Sequence, residues 1–206
     1  METALYAFTA FFIILDPLGT AALFAVMTRG VEPAERRRMA RRATLLAGAI
    51  LYAFALLGEA LLNALGIGLP AFRVAGGILL FLLASDMIFA RQSGLRSISA
   101  SEDAESARRE DITVFPLAFP LIAGPGAMTS AVLLMGQAQG DPVAVATVLA
   151  VLTLVLGILL ALLSTAPTLM RVLGVTGTNV IGRVMGIVLA ALAVQYVIDG
   201  VRAALG

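Results

Sequence analysis

Two short stretches bring together residue types for which an apolar helix has no ordinary use: Asp16-Pro17-Leu18-Gly19-Thr20, and Gly124-Pro125-Gly126-Ala127 with Thr129 just beyond. Proline cannot donate the hydrogen bond of a helix interior but fits its first turn, and Asp or Gly suits the cap position ahead of it. Each stretch therefore reads as a point where one helix stops and another starts. A fresh helix start offers unpaired N–H groups and the positive end of a dipole, chemistry suited to a carboxylate or another anion. Asp16, beside the first start, suits an ammonium group, a cation or a proton. Gly19, Gly124 and Gly126 allow close approach, and Thr20 and Thr129 bring hydroxyls near the breaks. Those hydroxyls have a competing use, because a helical Thr can bond back to its own carbonyls.

The remaining composition excludes more chemistry than it offers. The chain has no His, Cys or Trp, and its fourteen basic residues are all Arg. Imidazole and thiolate catalysis, His proton relays, disulfides and lysine Schiff bases are therefore excluded. Hydrophobic residues make up 60% of the chain and charged ones 13%, with a mean hydropathy of +1.01. A small soluble core could not hide that much apolar surface in 206 residues. The expectation is an all-α protein integral to the lipid bilayer, with no nucleic-acid partner, no enzymatic activity and no cofactor.

The breaks must be positioned by membrane helices, each needing about 20 apolar residues. Six such segments are legible: Ala4 to Met27, Ala43 to Leu65, Pro70 to Ala90, Ile112 to Met135, Val143 to Leu163 and Val180 to Ala203. Helices one and four then carry the two breaks near mid-membrane. No basic region precedes the first apolar stretch, so it is expected to stay as a helix rather than be cleaved. The charged, Ser-rich interval 91–111 divides the chain into 1–90 and 112–206, three helices each. Arg29, Arg36, Arg37, Arg38, Arg41, Arg42, Arg91, Arg96, Arg108, Arg109 and Arg171 fall in loops of one side and, with Arg73 and Arg183 at helix starts set aside, Arg202 alone on the other. The positive-inside rule makes the Arg-rich side cytoplasmic and puts both termini outside the cell's inner membrane.

The halves also resemble each other. Shifted by 108 positions, Pro17 falls on Pro125 and Leu65-Gly66 on Leu173-Gly174; after a two-residue insertion, Arg73 falls on Arg183, Gly76 on Gly186 and Ile88 on Ile198. With three crossings in each half, the second copy must run upside down relative to the first. Backbone freed at the breaks cannot face lipid, so it must face protein or a wet cavity between the repeats. A kink repacked by neighbouring helices explains one such break; paired breaks in opposed repeats point to a transporter's binding site.

The stretches ILDPLGTAALF, LGIGLPAFRVAGGILLFLLASDMIF, VFPLAFPLIAGPGAMTS and IGRVMGIVLAALAVQYVIDG resemble the MarC family of bacterial and archaeal membrane proteins, which includes small neutral amino-acid transporters and looks related to LysE-type exporters. The resemblance covers essentially the whole chain and implies six membrane helices. It implies transport of glycine, alanine and similar amino acids, while the antibiotic-resistance link in the family name is doubtful. Many members have Asn-Pro where this chain has Asp16-Pro17.

The resulting expectation is a secondary transporter that moves small neutral amino acids by alternating access. The substrate carboxylate would meet the helix starts at Leu18 to Thr20 and Gly124 to Ala127, and Asp16 would hold the ammonium or a coupling H⁺ or Na⁺. Arg73, Arg183 and Asp86 are candidates for gating or charge pairing. Snorkelling to the interface competes for the two arginines, and Asp86 reads as an inner-interface residue. Gly76, Gly77 and Gly186 suit close helix packing, and a homo-oligomer associating through such faces is compatible with the sequence. The competing reading is an exporter of metal ions or drugs. However, two separated aspartates make a poor divalent cage, and the ten Phe and three Tyr do not cluster at the breaks. An intramembrane Asp protease using Asp16 and Asp86 is a remote third, since the Gly-x-Gly-Asp signature is missing.

Overall fold

The computed structural model describes residues 2–89 and 112–206. The expected linker 91–111, with Arg91, Arg96, Arg108 and Arg109, lies outside the described residues, as does Ala90. Every described element is helical: α1 (Glu2–Leu15), α2 (Pro17–Met27), α3 (Pro33–Ala64), α4 (Leu69–Phe89), α5 (Thr113–Ile122), α6 (Pro125–Ala138), α7 (Pro142–Ser164) and α8 (Ala166–Leu205). Among the described residues five helices are long and apolar enough to cross a membrane, α1 and α2 counting as one, and six if α5 and α6, bent by 54°, form one span.

Burial sorts these spans. The most apolar window of Glu2–Met27 is 61% buried, whereas those of Pro33–Ala64, Leu69–Phe89, Pro142–Ser164 and Thr176–Leu205 are only 22–33% buried. The first span is therefore central and the others peripheral. α6 is central too, with ten buried residues including Ser130, Leu133 and Leu134. Leu45, Leu56, Leu57, Phe81, Leu82, Val184 and Ile187 point outward from the peripheral helices. An aqueous protein would hide such side chains, and a bilayer solvates them.

Close packing relies on missing side chains. α4 lies along α8, where a β-carbon on Gly77 would come 2.7 Å from the Ala193 carbonyl oxygen and one on Gly200 2.7 Å from Val74. A β-carbon on Gly186 would meet Met87 and Ile88 at 3.0 Å, so the sequence reading of Gly77 and Gly186 as packing glycines holds. Several of the other contacts have a counterpart in the opposite half: α1 and α2 pack on α7 as α5 and α6 pack on α3, and α2 packs on α8 as α6 packs on α4.

Three boundaries differ from those expected. α3 begins at Pro33 rather than Ala43, because Pro33 fits a first turn and the Arg-rich stretch 36–42 continues as helix; those arginines are helical, not in a loop. The expected helix four is not regular in its first half. In α5, Pro116 and Pro120 remove two donors, and Phe115 and Phe119, each preceding a proline, are extended (φ −129°, ψ 128° and φ −134°, ψ 130°). Its bonds reach five residues back, from Leu117 N to Ile112 O at 3.3 Å and Ala123 N to Ala118 O at 2.9 Å. The sixth helix starts earlier than Val180, at Ala166, and is interrupted at Gly174 (φ 62°, ψ 178°). Gly66, which follows the end of α3, has φ 70°, so both glycines occupy the left-handed region that a β-carbon disfavours.

Candidate functional site

The first junction is built around Asp16. Its backbone is left-handed (φ 44°, ψ 65°), a conformation that Asp and Asn tolerate better than other residues with side chains. From there its carboxylate folds over the start of α2, where Oδ1 accepts the Gly19 N–H at 3.1 Å. A β-carbon on Gly19 would lie 2.1 Å from Asp16 Oδ2, so position 19 has room only for glycine. In an unbroken helix the Gly19 N–H would bond to the Leu15 carbonyl. That carbonyl instead accepts the Thr20 hydroxyl at 3.0 Å, which ties the two pieces together. Pro17 supplies no N–H and needs no acceptor. Asp16 and Thr20 are 3% and 2% exposed, so a carboxyl group is held deep in the bundle.

The second junction reaches the same end by another route. Ala123 (φ −93°, ψ 57°) and extended Gly124 (φ −75°, ψ 169°) lead into Pro125 at the first turn of α6. Gly124 provides no side-chain cap, and its carbonyl accepts the Met128 N–H at 3.0 Å. A β-carbon there would strike the Pro120 carbonyl oxygen at 2.5 Å. The Thr129 hydroxyl donates to Pro125 O at 2.9 Å. Thr129 thus bonds within its own helix, the competing use that the sequence left open, whereas Thr20 bonds across the break to the end of α1.

The two junctions meet through small residues. Ile14 Cγ2 lies 4.0 Å from the place of a Gly126 β-carbon, and Leu80 Cδ2 2.5 Å from it. Around this contact is a cavity with about 20 Å³ of water-accessible space, lined by Gly124, Pro125, Gly126 and Ala127 together with Ile14, Leu79, Leu83 and Pro120. Room for a water begins at about 10–15 Å³. The cavity therefore admits a water and not an amino acid, and a solute needs the helices to part. Its polar wall is the start of α6; the others are apolar.

Of the expected site residues, Gly124, Pro125, Gly126 and Ala127 line this cavity, whereas Asp16, Pro17, Gly19 and Thr20 form the adjoining junction behind Ile14. Thr129 packs against Gly76. Arg73 is half-buried on α4 and lies near Tyr6, ten residues and about 15 Å of helix from Asp16. Arg183 is exposed on α8, and Asp86 is half-buried near the end of α4. Sequence reasoning did not single out the apolar wall of Ile14, Leu79 and Leu83, whose residue types carry no signal. Pro120 did carry one, as the second of two Phe-Pro pairs four residues apart.

A family model described as MarC family integral membrane protein matches residues 1–205. A UPF0056 membrane protein of Methanocaldococcus jannaschii is 38% identical over 207 residues, covering 100% of this chain and 98% of its own. The UPF0056 membrane protein YhcE of Escherichia coli is 35% identical over 195 residues (95% and 90%), and YvbG of Bacillus subtilis 32% over 197 (96% and 93%). No solved structure matches the chain.

Proposed function

The chain belongs to the MarC family of integral membrane proteins, and within that family we propose a task for it: secondary transport of small neutral amino acids such as glycine and alanine, by alternating exposure of one central site. The observation that carries this reading is that the break at Asp16-Pro17 adjoins the α6 start at Pro125 through Ile14 and Gly126, beside a small cavity. A helix start with no side-chain cap suits a carboxylate. Asp16, buried next door, suits an ammonium group or a coupling H⁺ or Na⁺.

In this reading helices one and four are broken spans of two inverted three-helix repeats, residues 1–90 and 112–206. Support comes from the contacts that persist when the halves are exchanged, and from left-handed Gly66 and Gly174 at sequence-matched positions. The Arg-rich ends, including the first turns of α3, face the cytoplasm, and both termini lie outside the inner membrane. The 20 Å³ cavity, partly open and lined in part by half-buried residues, must then widen toward each side in turn. No catalytic step is assigned. Binding of glycine or alanine to the purified protein, measured against Na⁺ concentration and pH, tests the site; metal flux in the same preparation tests the exporter alternative.

A further inference from the structure

A second polar locus lies away from the two breaks, created by the same glycines that pack α4. Without a β-carbon at Gly76 the Thr129 methyl comes in, and without one at Gly77 the Ala193 carbonyl comes in. Ser130 follows Thr129 and Tyr196 is one turn after Ala193, so both are drawn towards α4 one turn from Arg73. The Tyr196 hydroxyl lies within hydrogen-bonding reach of the Tyr6 and Ser130 side chains and feels the Arg73 charge. Tyr6 in turn feels both Arg73 and Asp199. Ser130 is 0% exposed and Tyr196 1%. Nevertheless Ser130 Oγ, the Tyr196 hydroxyl and Arg73 Nε complete no hydrogen bond of good geometry. Buried polar atoms left so are costly unless something arrives to use them.

All three atoms can donate, and Arg73 is a donor only, so a carboxylate could take the guanidinium and both hydroxyls together. Arg73 and Asp199 both lie near Tyr6 without an ion pair between them, and Asp199 Oδ1 accepts a hydrogen bond from Gln195 Nε2 at 2.8 Å; separated opposite charges suit a zwitterion. Ser130 is six residues beyond Gly124, about 9 Å along the helix, so this locus is separate from the cavity at the breaks. We infer that Arg73, Tyr196 and Ser130 form a second carboxylate-binding site on the outer side of the bundle, where an amino-acid zwitterion is held, with Asp199 toward its ammonium end, before or after the central site. The inference rests on the proposed transport for its place on the path, but not for its ligand chemistry.

The test is calorimetric binding of glycine and of acetate to the whole protein in phosphatidylcholine nanodiscs. Tyr196→Phe and Ser130→Ala each remove a single oxygen, and each should weaken acetate binding by about tenfold. Gly157→Ala, whose added carbon meets nothing within 4 Å, should leave acetate binding unchanged. Arg73→Gln is an independent removal should either hydroxyl variant fail to fold. Acetate and glycine binding indifferent to all three outer substitutions would overturn the site even if glycine transport is found. Loss of acetate binding in those variants would uphold it even if no glycine crosses a liposome membrane. No acetate binding to the wild type, or displacement of acetate by phosphatidylglycerol showing that Arg73 holds a lipid phosphate, overturns it.

Discussion

The Thr129 methyl carbon lies 2.0 Å from the place a β-carbon on Gly76 would take. α4 and α6 are thus keyed together at a position with room for no side chain, one turn beyond the α6 start. Gly76→Ala should destabilise the protein by about 1–3 kcal/mol, the usual cost of overpacking. Gly157→Ala, with nothing within 4 Å of the added carbon, should be neutral. Thermal melts of the two variants in one detergent check the difference.

Asp16 combines a strained backbone with a cap. Asn tolerates the same left-handed conformation and can accept the Gly19 N–H, so Asp16→Asn should melt close to the wild type. Asp16→Ala loses the cap, about 1 kcal/mol, and pays a further 1–2 kcal/mol or so for the left-handed backbone. Glycine flux should fall in both variants if the charge is what transport uses. A full rate in Asp16→Asn would leave Asp16 with a capping role alone.

Gly126 sets the size of the central cavity. The added carbon of Gly126→Ala would stand in the cavity wall, with Leu80, a flexible side chain 2.5 Å away, giving way to it. The concentration of glycine for half-maximal binding should rise about tenfold, or about 1.4 kcal/mol, with little change in melting temperature. Titration of the purified variant measures it.

The chain has no cysteine, so single cysteines report topology without background. Val143→Cys and Leu205→Cys should react with a membrane-impermeant maleimide added outside cells. Arg37→Cys and Val172→Cys should react only after permeabilisation. All four positions are exposed. Labelling of all four from one side would end the inverted-repeat arrangement.

The helical membrane class and the main segments were legible because apolar length and the Pro and Gly punctuation speak directly to helix starts. Pro17, Pro125, Gly66 and Gly174 all sit where the chain leaves regular helix. The irregular α5 was written in Phe115-Pro116 and Phe119-Pro120, yet hydropathy over the same stretch is that of an ordinary span. The start of α3 was missed because arginines at the membrane edge look like a loop when only apolar length is counted. Ser130, Tyr6 and Tyr196 could not be found from spacing along the chain. They come from three helices, and the close approach at Gly76 and Gly77 brings the segments of Ser130 and Tyr196 toward α4.

Uptake of labelled glycine into liposomes containing only the purified protein is the most direct measurement. A saturable flux, competed by alanine and reduced by Gly126→Ala at matched protein incorporation, is the predicted result. Liposomes no more permeable to glycine and alanine than protein-free ones, under gradients of H⁺ and of Na⁺ in either direction, would contradict it.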